Sequence, residues 1–198
     1  NMIYSKKYAT STRTRRLPTW DYRNDGYYFV TLCTRNKAKY FGKIMDGRME
    51  LSEIGEMVKS FWRDIPYHFN NVVLHEYVIM PDHLHGIIFI DHGLTPFYAT
   101  RGALRRSDVA MQRRYAVTAI THDEMSHISP KPQSLSVIIR SFKSICTKTV
   151  GLKCPGRPFQ WQPRFYDHVI RDEKSLEKIK WYIRNNPGMW KEKGDWWI

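Results

Sequence analysis

Between residues 72 and 90 the chain carries two strand-length apolar runs with almost nothing between them. Residues 72–80 and 85–90 are separated by Pro81-Asp82, a pair that interrupts regular structure. Neither run approaches the roughly 20 apolar residues a membrane span needs. They are read as strands, which places His83 and His85 where a central strand starts. Side chains two apart on a strand point to the same face, so these histidines can converge on one ion while Leu84 enters the core. Neutral imidazole is a common ligand of divalent metals. Spacing alone leaves a structural or exposed pair as the alternative.

The rest of the chain supplies partners for that sheet. Tyr27 to Thr34, rich in aromatic and β-branched residues, follows the turn signal Asn24-Asp25-Gly26 and is expected to be a buried strand. Asp46-Gly47 predicts the turn of a short hairpin over residues 41–51. Ser52 stands before Ile54, Met57, Val58, Phe61, Trp62 and Ile65, a 3.6-residue rhythm with an N-cap, so an amphipathic helix should run to about Tyr67. Leu135, Ile138, Ile139, Phe142, Ile145 and Cys146 predict a second helix capped by Ser134. Residues 159–170 read as a strand interrupted or edged at Pro163. Asp172 then precedes a helix carrying Leu176, Ile179, Tyr182 and Ile183, which should stop at Asn185-Asn186-Pro187-Gly188. These elements sum to an α+β domain with helices packed on one face of a mainly antiparallel sheet.

Residues 1–23 are expected to form a basic arm, 24–190 a single domain and 191–198 a tail. Within the domain, periodicity fades over residues 91–132, an expected insertion before the second long helix. Three cysteines with no C-x-x-C pair argue against a zinc ribbon or a secreted disulfide framework and favour a reducing cytoplasm. No signal peptide or transmembrane helix is predicted. The formal charge of +13 makes nucleic acid the leading partner, because such an excess attracts polyanions.

The run Tyr77-Val78-Ile79-Met80-Pro81-Asp82-His83-Leu84-His85-Gly86 resembles the "V-x-M-P-N/D-H-x-H" block of the HUH-type, IS200-like tyrosine transposases. Residues 159–166, then Asp167-His168-Val169-Ile170-Arg171-Asp172-Glu173, and finally Tyr182-Ile183-Arg184-Asn185-Asn186-Pro187, resemble further blocks of the REP-associated branch, in the expected order. The resemblance implies a ferredoxin-like domain that cleaves single-stranded DNA near hairpins through a 5′-phosphotyrosine intermediate. It casts His83 and His85 as metal ligands, Tyr182 as the nucleophile and Asn186, one helical turn on, as a third ligand. The cofactor implied is Mg²⁺ or Mn²⁺, the partner single-stranded or hairpin DNA, and the assembly a monomer or homodimer.

The residue types suit that chemistry. A tyrosine conserves the phosphodiester energy and permits rejoining without ATP, whereas an activated water would not. Phenol ionises near pH 10, so Tyr182 needs help, for which the metal, Arg184 or Lys178 are candidates. Tyr166 is the rival nucleophile but has no amide one turn away. Arg13, Arg15, Arg16 and Arg23 are candidate phosphate contacts, and Trp161 and Arg164 candidate base contacts that serve equally well as core and rim. His75 and His168 are read as structural, and Trp190, Trp196 and Trp197 as anchors docking the tail. Two other classes stay open: a non-catalytic hairpin nucleic-acid binder, and a nuclease that uses water.

Overall fold

A computed structural model describes residues 19–93 and 133–190. The strands are β1 (Gly26–Cys33), β2 (Gly42–Met45), β3 (Arg48–Leu51), β4 (Val72–Met80), β5 (His83–Ile90) and β6 (Tyr166–Ile170). The helices are α1 (Glu53–Arg63), α2 (Ile65–His68), α3 (Leu135–Lys153) and α4 (Glu173–Asn185). The main sheet has the order β4-β5-β1-β6 with antiparallel pairings throughout. Strands β1, β4, β5 and β6 with α1 and α3 form the β-α-β-β-α-β arrangement of a ferredoxin-like fold. The hairpin β2–β3 is a separate two-stranded sheet. Its turn has Asp46 at φ 49 and Gly47 at φ 71. Positive φ at both central residues is what a type I′ turn demands, and Asp-Gly tolerates it.

Alternation sorts the sheet's side chains onto two faces. Tyr28, Val30 and Leu32 of β1 and Leu84, Ile88 and Ile90 of β5 join Ile54, Val58 and Trp62 of α1 and Ile138, Ile139 and Phe142 of α3 in the larger core. Phe29 and Ile87 point the other way, where Ile170, Leu176 and Ile183 complete a smaller core. The expectation of helices on one face is therefore corrected: α1 and α3 cover one face and α4 the other. The strands are apolar on both sides near Phe29 and Ile87, so the second face also needs a cover. Gly86 shows how closely the main core is packed, since a Cβ there would meet the Trp62 indole at 2.3 Å.

Caps explain most helix boundaries. Ser52 Oγ accepts from Gly55 N at 3.1 Å, and Asp172 Oδ1 from Ser175 N at 2.8 Å. Ser134 occupies the N-cap position of α3, but its side chain makes no cap bond and its buried hydroxyl has no hydrogen-bond partner among the described residues. The first helix breaks at Asp64 rather than continuing to Tyr67. Pro66 has no N–H to give and crowds the preceding turn, so the chain restarts as the short α2. Residues 159–170 yield a strand only from Tyr166, with Trp161 making an isolated bridge to Thr34.

Candidate active site

The register of β1 and β5 sets His85 opposite Thr31 and His83 opposite Cys33. Both histidines lie on the sheet face covered by α4, while their neighbours Leu84 and Gly86 belong to the face with Trp62. His83 and His85 are almost wholly buried, at 2% and 0% exposed. Their Nε2 atoms approach to 3.0 Å. Each ring is held from behind, His83 Nδ1 lying 2.7 Å from Asp82 Oδ1 and His85 Nδ1 2.8 Å from Thr31 Oγ1. Phe29 stacks on His85, with ring centroids 5.4 Å apart. Trp190, beyond the short 3-10 turn Pro187–Met189, stacks on His83 at 6.0 Å.

Helix α4 delivers Tyr182 to this pair. Leu176 and Ile183 bury the helix against Phe29, Ile87 and Ile170, with Ile179 and Tyr182 packed at the edge of that cluster. The Tyr182 hydroxyl lies 3.2 Å from His85 Nε2, within hydrogen-bonding distance, in the same chain as the histidines. Asn186 caps the helix C-terminus, is buried, and brings its side chain within hydrogen-bonding reach of Tyr182.

Burial dominates the electrostatics here. It pushes the Tyr182 phenol above its ordinary value of 10, against an opposing pull from Asn186. Burial lowers His83 to about 3 and His85 in the same direction, so both imidazoles are neutral at physiological pH. Asp82 is raised to about 7, again by burial first. A neutral His83 that donates its Nδ1–H to Asp82 keeps a lone pair on Nε2. His85 reaches the same state when its Nδ1–H donates to Thr31 Oγ1.

The structure thus gathers Tyr182, His83, His85 and Asn186 at one place. It does not bring Arg184 or Lys178 to the phenol. Arg184 is paired with Glu76 of β4, and Lys178 lies in a groove on the exposed side of α4. Trp161 is 8% exposed and packs among Phe41, Phe142 and Phe159, so it is a core residue with its ring faces already covered. Arg164 is exposed, its carbonyl accepting from Lys143 Nζ, and Arg23 is engaged by Asp21. Tyr166 lies on the site face in edge contact with Phe29. Trp190 docks as expected of a tail anchor. Arg13, Arg15, Arg16, Trp196 and Trp197 lie outside the described residues, as does most of the 91–132 insertion.

Sequence reasoning missed Thr31 and Trp190 as parts of this site. Thr31 becomes visible only through strand register, and Trp190 only through the turn after α4. Asp82, by contrast, stood beside the histidines within the motif itself.

No protein-family model matches the chain. Among solved structures, a REP-associated tyrosine transposase bound to a REP hairpin is similar over 89% of this chain and 73% of its own, with 18% identity and a TM-score of 0.47. A presumed transposase from Deinococcus radiodurans is similar over 87% of this chain and 97% of its own, with 16% identity and a TM-score of 0.35. An uncharacterized protein of Haemophilus influenzae is 36% identical over 181 residues, spanning 91% of this chain and 90% of the relative. Identity at that level across nearly the full length of both chains shows common descent, and the protein belongs to the same family as this Haemophilus influenzae protein.

Proposed function

We propose that the protein cuts and rejoins single-stranded DNA at hairpins, with Tyr182 as nucleophile and a divalent cation, Mg²⁺ or Mn²⁺, held by His83, His85 and Asn186. The observation that carries the proposal is the meeting of Tyr182 Oη with His85 Nε2 at 3.2 Å, beside two Nε2 atoms 3.0 Å apart. Adjacent ligands of an octahedral ion with bonds of about 2.1 Å present such a spacing. One N–H···N hydrogen bond satisfies this contact in one tautomer; with both Nδ1 atoms protonated, two lone pairs converge and a cation would share them. Among the described residues no group of three His, Cys, Asp or Glu side chains is placed to hold a metal. The donor set we propose is two imidazoles and a carboxamide, which would leave positions open for phosphate oxygens and suit catalysis better than a closed structural zinc site.

The bound cation would supply charge neutralisation for the scissile phosphate and the ionising phenol. Asn186 orients Tyr182 and hydrogen-bonds its oxygen. Tyr182 Oη attacks phosphorus as its phenolic proton passes to solvent; the new O–P bond replaces the bond to the 3′ oxygen, which takes a proton from solvent and leaves as a hydroxyl. The 5′ phosphate remains on Tyr182 until a free 3′ hydroxyl attacks it and restores the tyrosine. Thr31 and Asp82, at the Nδ1 atoms, would hold the imidazoles in the tautomer with Nε2 free.

The test incubates the protein with end-labelled single-stranded hairpin DNA and Mg²⁺ or Mn²⁺, then resolves the products on a denaturing gel. A covalent protein–DNA band, lost in Tyr182→Phe and with EDTA, is expected. Free cut DNA that persists in Tyr182→Phe identifies a water-using nuclease instead. Unaltered DNA retained in a native complex identifies a binding module.

A further inference from the structure

Helix α4 turns Tyr182 inward, but the residue before it faces solvent. Trp181 is 59% exposed, although an indole usually buries much of its surface. It lines a shallow open groove with Lys174, Glu177 and Lys178. Lys174, Lys178 and Trp181 are spaced i, i+4 and i+7, so they form one stripe along the helix. The acids nearby make their hydrogen bonds and ion pairs to other residues, although Asp172 still feels the charge of both lysines. Glu177 is held by Lys180 at 2.7 Å, and Asp172 caps the helix through Ser175. Among the described residues neither Lys174 nor Lys178 enters a hydrogen bond or ion pair. The stripe therefore presents two ammonium groups, with no direct ion pair among the described residues, beside one open aromatic face, and Asp172 offsets part of their charge at longer range.

We infer that this stripe binds a single-stranded segment of nucleic acid, with an unpaired base stacked on Trp181 and backbone phosphates at Lys174 and Lys178. The charge complementarity is local as well as global, in a chain of formal charge +13. Base stacking on an exposed aromatic flanked by lysines is the general mode of sequence-tolerant single-strand binding. A duplex keeps its base faces stacked and offers Trp181 nothing comparable. The proposal rests on the reading of Tyr182 as nucleophile for its consequence: the stripe begins one residue from the phenol and guides the strand to it.

The test measures fluorescence anisotropy of full-length protein with a labelled mixed-sequence single strand of about 30 nucleotides, long enough to exceed known single-strand site sizes, and with the same strand annealed as a duplex. Trp181→Ala is expected to weaken single-strand binding about tenfold, the scale of one lost stack, and to leave duplex binding unchanged. Trp181→Phe should recover most of the loss. Replacing both Lys174 and Lys178 by Gln should lower the slope of log K against log salt by about 1.4, at roughly 0.7 per phosphate contact. Unchanged single-strand affinity in Trp181→Ala, or an equal loss on duplex, overturns the proposal. So does a wild-type dimer on size-exclusion chromatography that Trp181→Ala dissociates, because the groove is then an interface between copies. Tyr182→Phe separates the two readings, since it should bind the strand as wild type does while forming no covalent adduct. An adduct in Trp181→Ala with undiminished strand affinity sinks the stripe alone. Stripe-dependent binding with no adduct in wild type sinks the nucleophile alone.

Discussion

Thr31 and Asp82 lie against the Nδ1 atoms of His85 and His83, and on the proposed reading they favour the tautomers that leave the Nε2 lone pairs free. Supports of this kind typically contribute ten- to a hundredfold to metal affinity. Thr31→Val and Asp82→Asn should each weaken Mn²⁺ binding by about that factor in isothermal calorimetry, with the fold retained by circular dichroism. The same residues set a pH dependence. His83 and His85 have pKa values below the ordinary 6.5, so the stability they contribute is complete above about pH 6.5 and is lost as pH falls. Asp82 works in reverse: its folded carboxyl takes a proton below about 7, its unfolded one near 3.8, so its contribution grows as pH falls and offsets one histidine. One histidine remains uncompensated, and His68, His75 and His168 act in the same direction. Metal-free protein should therefore lose stability as pH falls from roughly 6 to 4, by about 1.4 kcal/mol per pH unit for one uncompensated histidine, less the opposing effect of Asp64, whose carboxyl is raised by burial. Urea denaturation in a chelating buffer checks this, and Asp82→Asn should steepen the slope. A flat profile would mean that the imidazoles are protonated in the fold.

At the scale of elements, alternation on β5 divides the labour: odd residues build the site and even residues the main core. Gly86 is where the two demands meet. Its missing side chain admits the Trp62 indole, which seats α1 against the strand that carries both histidines. Gly86→Ala should cost about 1–3 kcal/mol of stability by overpacking, read as a lower urea midpoint with an unchanged slope. Asp172→Ala should cost about 1 kcal/mol through the lost α4 cap. The positions of β1, the hairpin, α1, β4, β5 and α4 were legible because periodicity and turn chemistry are local. Two things were not. The face chosen by α4 depends on strands far apart in sequence that leave a second apolar surface, and the break at Pro66 overrode an apolar rhythm that ran on through Ile65. Trp161 was ambiguous for a related reason. Its type suits a base platform as well as a core, and only its packing with Phe41 and Phe142 decides.

For the whole molecule, the ferredoxin-like order brings together pieces nearly a hundred residues apart. The motif at His83-Leu84-His85 and the helix around Tyr182 meet because β5 is a central strand and α4 folds back over it. Among the described residues no helix is long and apolar enough to cross a membrane. Tyr182 meets His85 within one chain, and on the proposed reading that it acts in cis, the activity of dilute protein should scale linearly with its concentration. The most direct measurement is mass spectrometry of tryptic peptides after reaction with hairpin DNA and nuclease trimming. A nucleotide mass on the peptide containing Tyr182, dependent on Mg²⁺ or Mn²⁺, is the result expected. A nucleotide mass on the peptide containing Tyr166, or cut DNA with no modified peptide, would contradict it.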